Sequence, residues 1–325
     1  MKTARARACS NMALVKYWGK RDEALVLPFT GSLSMTMDSL VTESSVTFTG
    51  ESGPDSLMLD GAPAQAGEVK RASALLDLIR ANHPGLGAAR IESANNFPTA
   101  GGLASSASGF AALAAAASWA AGLDTSVEEM SILARRASGS ACRSVLGGFV
   151  EWVRGERADG LDSVARQVLD RGAWDVAMSV AMVDVGRKEK SSRDAMKQSV
   201  ITSPYFDAWV KTTLEDVEAA RAAIVARDIE RVGAIAERSF LKMHATALTS
   251  EPPAFFWKPA TLALLEVVRD LRSDGVGAWA TIDAGPHVAV LSEAGSAEKV
   301  AAALRQVPGV RDVLVARPGP GVERV

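Results

Sequence analysis

The apolar pattern of this chain has a short period at its start and a helical period through much of its second half. Residues 13–18 form a short apolar run, 32–40 alternate in part, and 43–48 are rich in Ser, Val and Thr. All three predict strands. Residues 51–67 read as a hairpin, with turn residues at Gly53-Pro54 and Asp60-Gly61. Residues 68–82 have helical spacing, which puts Leu75, Leu76 and Ile79 on one face. Residues 88–94 predict the end of a strand, and 109–121 are apolar enough for a buried helix. Ser126, with Glu129 three residues on, marks the start of a helix running to 137. Residues 147–153 and 174–185 predict further strands.

From residue 205 to 243 the pattern predicts helix nearly throughout, ended by Pro252-Pro253. An amphipathic helix follows at 261–273. Apolar strands at 276–283 and 287–291 flank the turn Asp283-Ala-Gly-Pro286, and a helix at 297–306 and a strand at 310–316 close the chain. This order predicts helices packed on one face of antiparallel sheets, which is α+β rather than a doubly wound parallel sheet. The change of texture puts a domain boundary after residue 184, giving domains 1–184 and 185–325, with no internal repeat.

The 325 residues are enough for two full cores, and 48% apolar with 23% charged residues fits a globular protein. A net charge of −2 gives no general attraction to nucleic acid or to an anionic membrane, so any anion binding must come from local basic clusters. No apolar run is long enough to span a bilayer, and the basic first ten residues lack the apolar core of a signal peptide. Two cysteines, Cys9 and Cys142, point to a reducing, cytoplasmic setting. Three histidines without paired spacing argue against zinc.

The strongest chemical signal is N-N-F-P-T-A-G-G-L-A-S-S-A-S-G at 95–109. A Gly- and Ser-rich turn that opens a helix presents unpaired N–H groups where the helix dipole is positive, which is a cradle for phosphate. No G-x-x-x-x-G-K-[ST] or G-x-S-x-G occurs. The Gly275-Val-Gly stretch is followed by a strand where a dinucleotide site needs a helix.

P-x-x-x-G-L-x-S-S-A at 98–107 resembles the phosphate loop of the GHMP kinase superfamily. Asn11-Met-Ala-Leu-Val-Lys-Tyr-Trp-Gly-Lys-Arg-Asp22, Ser138-Gly-Ser-Ala-Cys-Arg143 and Asp283-Ala-Gly-Pro286 are similar to three signatures of its mevalonate diphosphate decarboxylase family. Met243-His-Ala-Thr, Glu251-Pro-Pro and Ser191-Ser-Arg193 match as well, so the resemblance runs from about residue 8 to 291. Gly101 and Cys9 depart from it, standing where alanine and proline are common.

The resemblance implies a GHMP-kinase-like two-domain fold, with an N-terminal ribosomal-protein-S5-like domain and a C-terminal ferredoxin-like α/β sandwich. It also implies ATP-dependent decarboxylation of 5-diphosphomevalonate to isopentenyl diphosphate, with Mg²⁺ as cofactor, and a homodimer. On this reading Asp283 contacts the 3-hydroxyl, with Lys16 as its cationic partner and Arg143 on the substrate carboxylate. Ser138, Gly139 and Ser140 serve the same end of the substrate. Tyr17, Lys20, Ser192 and Arg193 grip its diphosphate. Asn95, Pro98, Gly101, Gly102, Leu103, Ala104, Ser105 and Ser106 hold ATP, with Ser106 toward Mg²⁺. Two alternatives stay open on sequence: a kinase or decarboxylase acting on mevalonate or phosphomevalonate, and a nucleotide-sensing protein without turnover.

Overall fold

A computed structural model describes residues 2–97, 105–183 and 191–325. Its larger sheet joins β1 (Lys2–Val15), β4 (Ser32–Phe48), β5 (Ser56–Leu59), β6 (Ala62–Pro63), β7 (Ala89–Asn95), β8 (Phe149–Trp152), β9 (Ala165–Leu169) and β14 (Glu323–Arg324). A small ribbon, β2 (Lys20–Asp22) with β3 (Leu27–Pro28), lies outside it. Each described pairing in the larger sheet is antiparallel except β5 with β7. The stretches at 32–40 and 43–48 are one strand, β4, whose first half pairs β8 and whose second half pairs β7.

The basic start of the chain is also strand. Ala4, Ala6 and Ala8 point inward while Arg5 and Arg7 point out, so β1 has a period of two from its second residue. β1 ends at Val15, which frees Lys16, Tyr17 and Trp18 from the ladder.

Helices α1 (Ala66–Arg80), α2 (Ser105–Ala120) and α3 (Val127–Ala137) cover one face of this sheet. Ala111, Ala112 and Ala114 through Ala117 are fully buried, and their small side chains let α2 lie close on β1 and β4. At α3 the predicted capping box is present: Ser126 Oγ accepts from Glu129 N, and the Glu129 carboxylate accepts from Ser126 N.

The second sheet has the order β11-β12-β10-β13, all antiparallel, from β10 (Val176–Val183), β11 (Ala278–Thr281), β12 (Val288–Glu293) and β13 (Val310–Ala316). With α8 (Ala297–Arg305) between β12 and β13, this is a ferredoxin-like arrangement. Helices α4 (Ser192–Thr202), α5 (Phe206–Ala226), α6 (Ile229–Leu248) and α7 (Pro259–Ser273) lie between β10 and β11. The stretch 205–243, expected to be helical nearly throughout, is made of two helices. Arg227 adopts a left-handed φ of 57°, and Asp228 then caps α6 by accepting from Arg231 N at 3.0 Å.

Met12, Leu14, Leu33 and Met35 of the first sheet share one core with Val176, Met178, Val180 and Leu291 of the second. The two sheets are therefore packed together, and the ends of β1 and β11 meet.

Candidate functional site

The two strand ends bring together residues 267 apart in sequence. Lys16 follows β1 and is 1% exposed; its Nζ lies 2.5 Å from Asp283 Oδ1 and donates at 2.9 Å to the Ala13 carbonyl. Asp283, two residues past β11, stays 28% exposed. Thr281 Oγ1 donates to the same Ala13 carbonyl at 2.9 Å, and Ser239 Oγ accepts from Lys16 N at 2.9 Å. Burial lowers the Lys16 ammonium below the usual lysine range, Asp283 opposes that, and Arg143 adds to it.

The pair opens onto a cleft of about 830 Å³ whose lining includes Arg143, Ser138, Ser140, Ser192, Arg193 and Ser106. Arg143 is 2% exposed and meets neutral oxygens. Its Nε donates to Ser34 Oγ at 2.9 Å and Asn11 Oδ1 at 3.2 Å, Nη1 to Ser32 Oγ at 2.5 Å, and Nη2 to Asn11 Oδ1 at 3.0 Å. Burial lowers its guanidinium, opposed by Cys142, Asp283 and Tyr17. The described lining holds six cations (Lys16, Lys20, Arg71, Arg136, Arg143 and Arg193) against two carboxylates, Glu23 and Asp283. In a chain of net charge −2 this local excess suits a polyanionic ligand.

The end of α3 and the 3₁₀ turn Gly139–Val145 place Ser138 through Arg143. Gly139 is needed for packing: a Cβ there would sit 2.8 Å from the Trp152 ring and 3.0 Å from that of Tyr17. Tyr17 packs against Trp152 with ring centroids 4.7 Å apart and planes tilted by 60°, and its buried hydroxyl has no partner among the described residues. Burial pushes that hydroxyl up, far from ionising. Lys20 pairs with Glu23 at 2.5 Å. Ser192 and Arg193 begin α4, whose cap Ser191 accepts from Asp194 N.

Ser105 and Ser106 open α2, and Ser138 Oγ donates to Ser106 Oγ at 3.5 Å. Asn95 ends β7, with its Oδ1 accepting from Thr42 Oγ1 at 2.6 Å. A second cavity of about 110 Å³ shares Ser105, Ser106 and Arg71 with the cleft and is otherwise lined largely by apolar groups such as Leu57, Ile91 and Phe110. Pro98, Gly101, Gly102, Leu103 and Ala104 lie outside the described residues.

Three residues escaped the sequence reading. Ser32 and Ser34 hold Arg143, and Arg71 stands at the junction of the two cavities, 5.4 Å over the Phe110 ring. Arg71 occupies an ordinary helix position on α1, and only the meeting of α1 with the start of α2 reveals it. The inward serines of β4 were visible as a polar set within a buried strand.

Residues 8–165 match the diphosphomevalonate decarboxylase-like N-terminal domain, and residues 178–315 the mevalonate 5-diphosphate decarboxylase C-terminal domain. A solved structure described as MDDEF in complex with MVAPP, AMPPCP and magnesium has 39% identity and a TM-score of 0.93, covering 100% of this chain and 99% of that one. Mevalonate diphosphate decarboxylase from Staphylococcus aureus has 36% identity and a TM-score of 0.93, covering 100% and 98%. Diphosphomevalonate decarboxylase mvd1 of Aspergillus fumigatus is 36% identical over 318 residues, 92% of this chain and 79% of the relative. These matches run through both sheets and through the strand ends that carry Lys16 and Asp283, and the chain belongs to the diphosphomevalonate decarboxylase family, with its GHMP-kinase-like fold.

Proposed function

We propose that the chain catalyses the ATP-dependent decarboxylation of (R)-5-diphosphomevalonate to isopentenyl diphosphate, releasing ADP, phosphate and CO₂. The observation that carries this reading is the Lys16–Asp283 contact at the wall of a cationic cleft that the start of α2 also lines. Asp283 orients the substrate 3-hydroxyl and accepts its proton as the γ-phosphoryl group arrives. Lys16 screens the charge around the transferring group. The carbon–oxygen bond then breaks with its electrons leaving on phosphate. The bond from the carboxylate carbon supplies the electrons of the new alkene, and CO₂ departs.

Arg143 faces the carboxylate with a planar fork, supported by Ser138, Gly139 and Ser140. Tyr17, Lys20, Ser192 and Arg193 hold the diphosphate. Ser105 and Ser106 at the dipole-positive end of α2 serve the ATP phosphates, with Asn95 and the 98–104 stretch alongside. The small apolar cavity beside that helix start fits a nucleobase end, so the residues present suit the nucleotide. Ser106 would be the protein group toward Mg²⁺, which would supply charge neutralisation at the phosphates.

We read residues 1–184 and 185–325 as the two domains; the separate matches cover 8–165 and 178–315, and β10 (Val176–Val183) pairs within the second sheet. The chain is further proposed to be a cytoplasmic homodimer. Its free, buried cysteines fit a reducing compartment, and no helix among the described residues is long and apolar enough to cross a membrane. Sedimentation at micromolar concentration tests the dimer.

A substrate panel tests the reaction. ADP and CO₂ should form in equal amounts with diphosphomevalonate and Mg-ATP, and not with mevalonate. ADP formed without CO₂ would instead make the chain a kinase, and nucleotide binding without ADP formation would make it a sensor.

A further inference from the structure

Two buried hydroxyls hold the segment that carries Lys16, and the proposed chemistry uses neither. Thr281 ends β11 and Ser239 lies on α6, both fully buried. Side chains alternate along 278–283. Ala278, Ala280 and Ile282 join the core with Leu264 and Val300, while Thr281 and Asp283 face the end of β1. Thr281 Oγ1 donates to the Ala13 carbonyl at 2.9 Å, Lys16 Nζ donates to the same carbonyl at 2.9 Å, and Nζ meets Asp283 Oδ1 at 2.5 Å. With the backbone from 281 to 283 these contacts close a ring between the two sheets. The carbonyl sits where the β1–β4 register slips, between Ala13 and Val15, and Ser239 Oγ fixes Lys16 N on the far side.

The Thr281 hydroxyl is not needed to satisfy the carbonyl, which already has Lys16 as donor. Valine would suit this strand position without a polar group to bury, so packing alone does not call for threonine. The consequence of the hydroxyl is geometric. An ammonium has three donors. The carbonyl and Asp283 take two of them, and so set the direction of the third. Thr281 fixes that carbonyl and stands two residues from Asp283, so one side chain sets both members of the pair.

We propose that Thr281 is a positioning residue, a clamp between the two sheets that aims Lys16 and Asp283 through the Ala13 carbonyl. Thr281 is absent from the cleft lining, so it acts through the pair and not on substrate. The clamp rests on the proposed function. Misplacing a reacting group by a fraction of an ångström costs rate while leaving affinity intact.

Single-turnover kinetics of the full chain with diphosphomevalonate and Mg-ATP test it. At saturating enzyme that rate constant does not depend on the fraction of active molecules, so a merely structural loss would not move it. Thr281→Val should slow phosphoryl transfer about 10- to 100-fold and hold substrate affinity within about twofold. Thr281→Ser, which keeps the donor, should stay within about threefold of the parent. In a Lys16→Met background Thr281→Val should cost less than about threefold, because the lysine it aims is gone. A parent-like rate in Thr281→Val overturns the clamp, as does an equal loss in the Val and Ser variants, a loss confined to affinity, or an undiminished loss in the Lys16→Met background. Should Thr281→Val not fold, Ser against Ala carries the test: Thr281→Ala should be about tenfold slower than Thr281→Ser at unchanged affinity, and equal rates overturn the clamp. Absence of CO₂ release by the parent protein sinks the functional reading, whereas normal parent turnover with a normal Thr281→Val sinks only the clamp.

Discussion

Two arginines show how differently the two ends of the larger sheet treat buried charge. Arg80, on α1, forks onto Asp55 at 2.5 and 3.1 Å and reaches Asp77 at 2.9 Å. Burial would lower its guanidinium, but Asp55 and Asp77 outweigh that and hold it above its ordinary value. Arg143 is more deeply buried, yet it meets serine hydroxyls and an asparagine oxygen, and burial wins. The first arrangement is charge-matched and closed. The second is oriented by neutral oxygens and faces no carboxylate within hydrogen-bond distance, so its field projects into the cleft. Neutral partners alone do not make such a site. Arg135 also donates to backbone carbonyls of Gly160 and Ser163, but it is absent from the cleft lining. What marks the site is a charge excess that opens onto a cavity.

The contrast can be broken at several points. On the cleft side, Lys16→Met should lower kcat by about 10²–10⁴-fold with the fold retained, because Asp283 is exposed enough to be hydrated once unpaired. A variant within about threefold of the parent in kcat would remove Lys16 from the chemistry.

Arg80→Met should act on the other axis. It strands Asp55, whose side chain is 4% exposed, and should cost about 3–5 kcal/mol in urea unfolding while kcat stays near the parent value. A matching loss of turnover would erase the distinction between the two arginines.

Arg143→Gln keeps one amide donor near the Nε position, beside Ser34 and Asn11, and removes the charge. It should raise the KM for diphosphomevalonate about 10- to 100-fold. An unchanged KM would mean that the excess charge is not used for substrate.

A separate effect lies in acid stability. The folded imidazole of His244, at about 4, sits below its unfolded value of 6.5, so protons favour the unfolded chain. Its stabilising share is complete above pH 6.5 and is lost as pH falls toward 4, on the order of 3 kcal/mol in all, with Lys16 and Asp283 as the charged groups facing it. His244→Gln should flatten that stretch of the stability curve, and an unaltered slope would contradict the neutral burial. Smallest of all, Ser126→Ala should cost about 1 kcal/mol through the lost cap of α3, without kinetic effect.

The local chemistry of this fold was legible in the sequence. The Ser126–Glu129 box and the turn after Asp60 are each set by neighbours within a few residues. Asp283 and Lys16 could be named from their signatures, but their meeting depends on β1 and β11 ending side by side, which no local pattern encodes. The same holds for β14, which returns from the far end of the chain to pair with β1. The break at Arg227 hides because arginine is a good helix former, and only its left-handed φ followed by the Asp228 cap reveals two helices. Arg71 escaped for a related reason, since nothing on α1 itself marks it, and His244 entered only as part of the Met243-His-Ala-Thr match. Each acquires its setting from an element far away in sequence.

The most direct measurement is single-turnover kinetics of Asp283→Asn with diphosphomevalonate and Mg-ATP, run beside equilibrium binding of the same substrate. The account predicts binding within about threefold of the parent and phosphoryl transfer slower by more than the roughly 10²–10⁴-fold of a lone acid–base group, since orientation of the hydroxyl is lost with the proton acceptor. Transfer at near the parent rate, with binding intact, would contradict it.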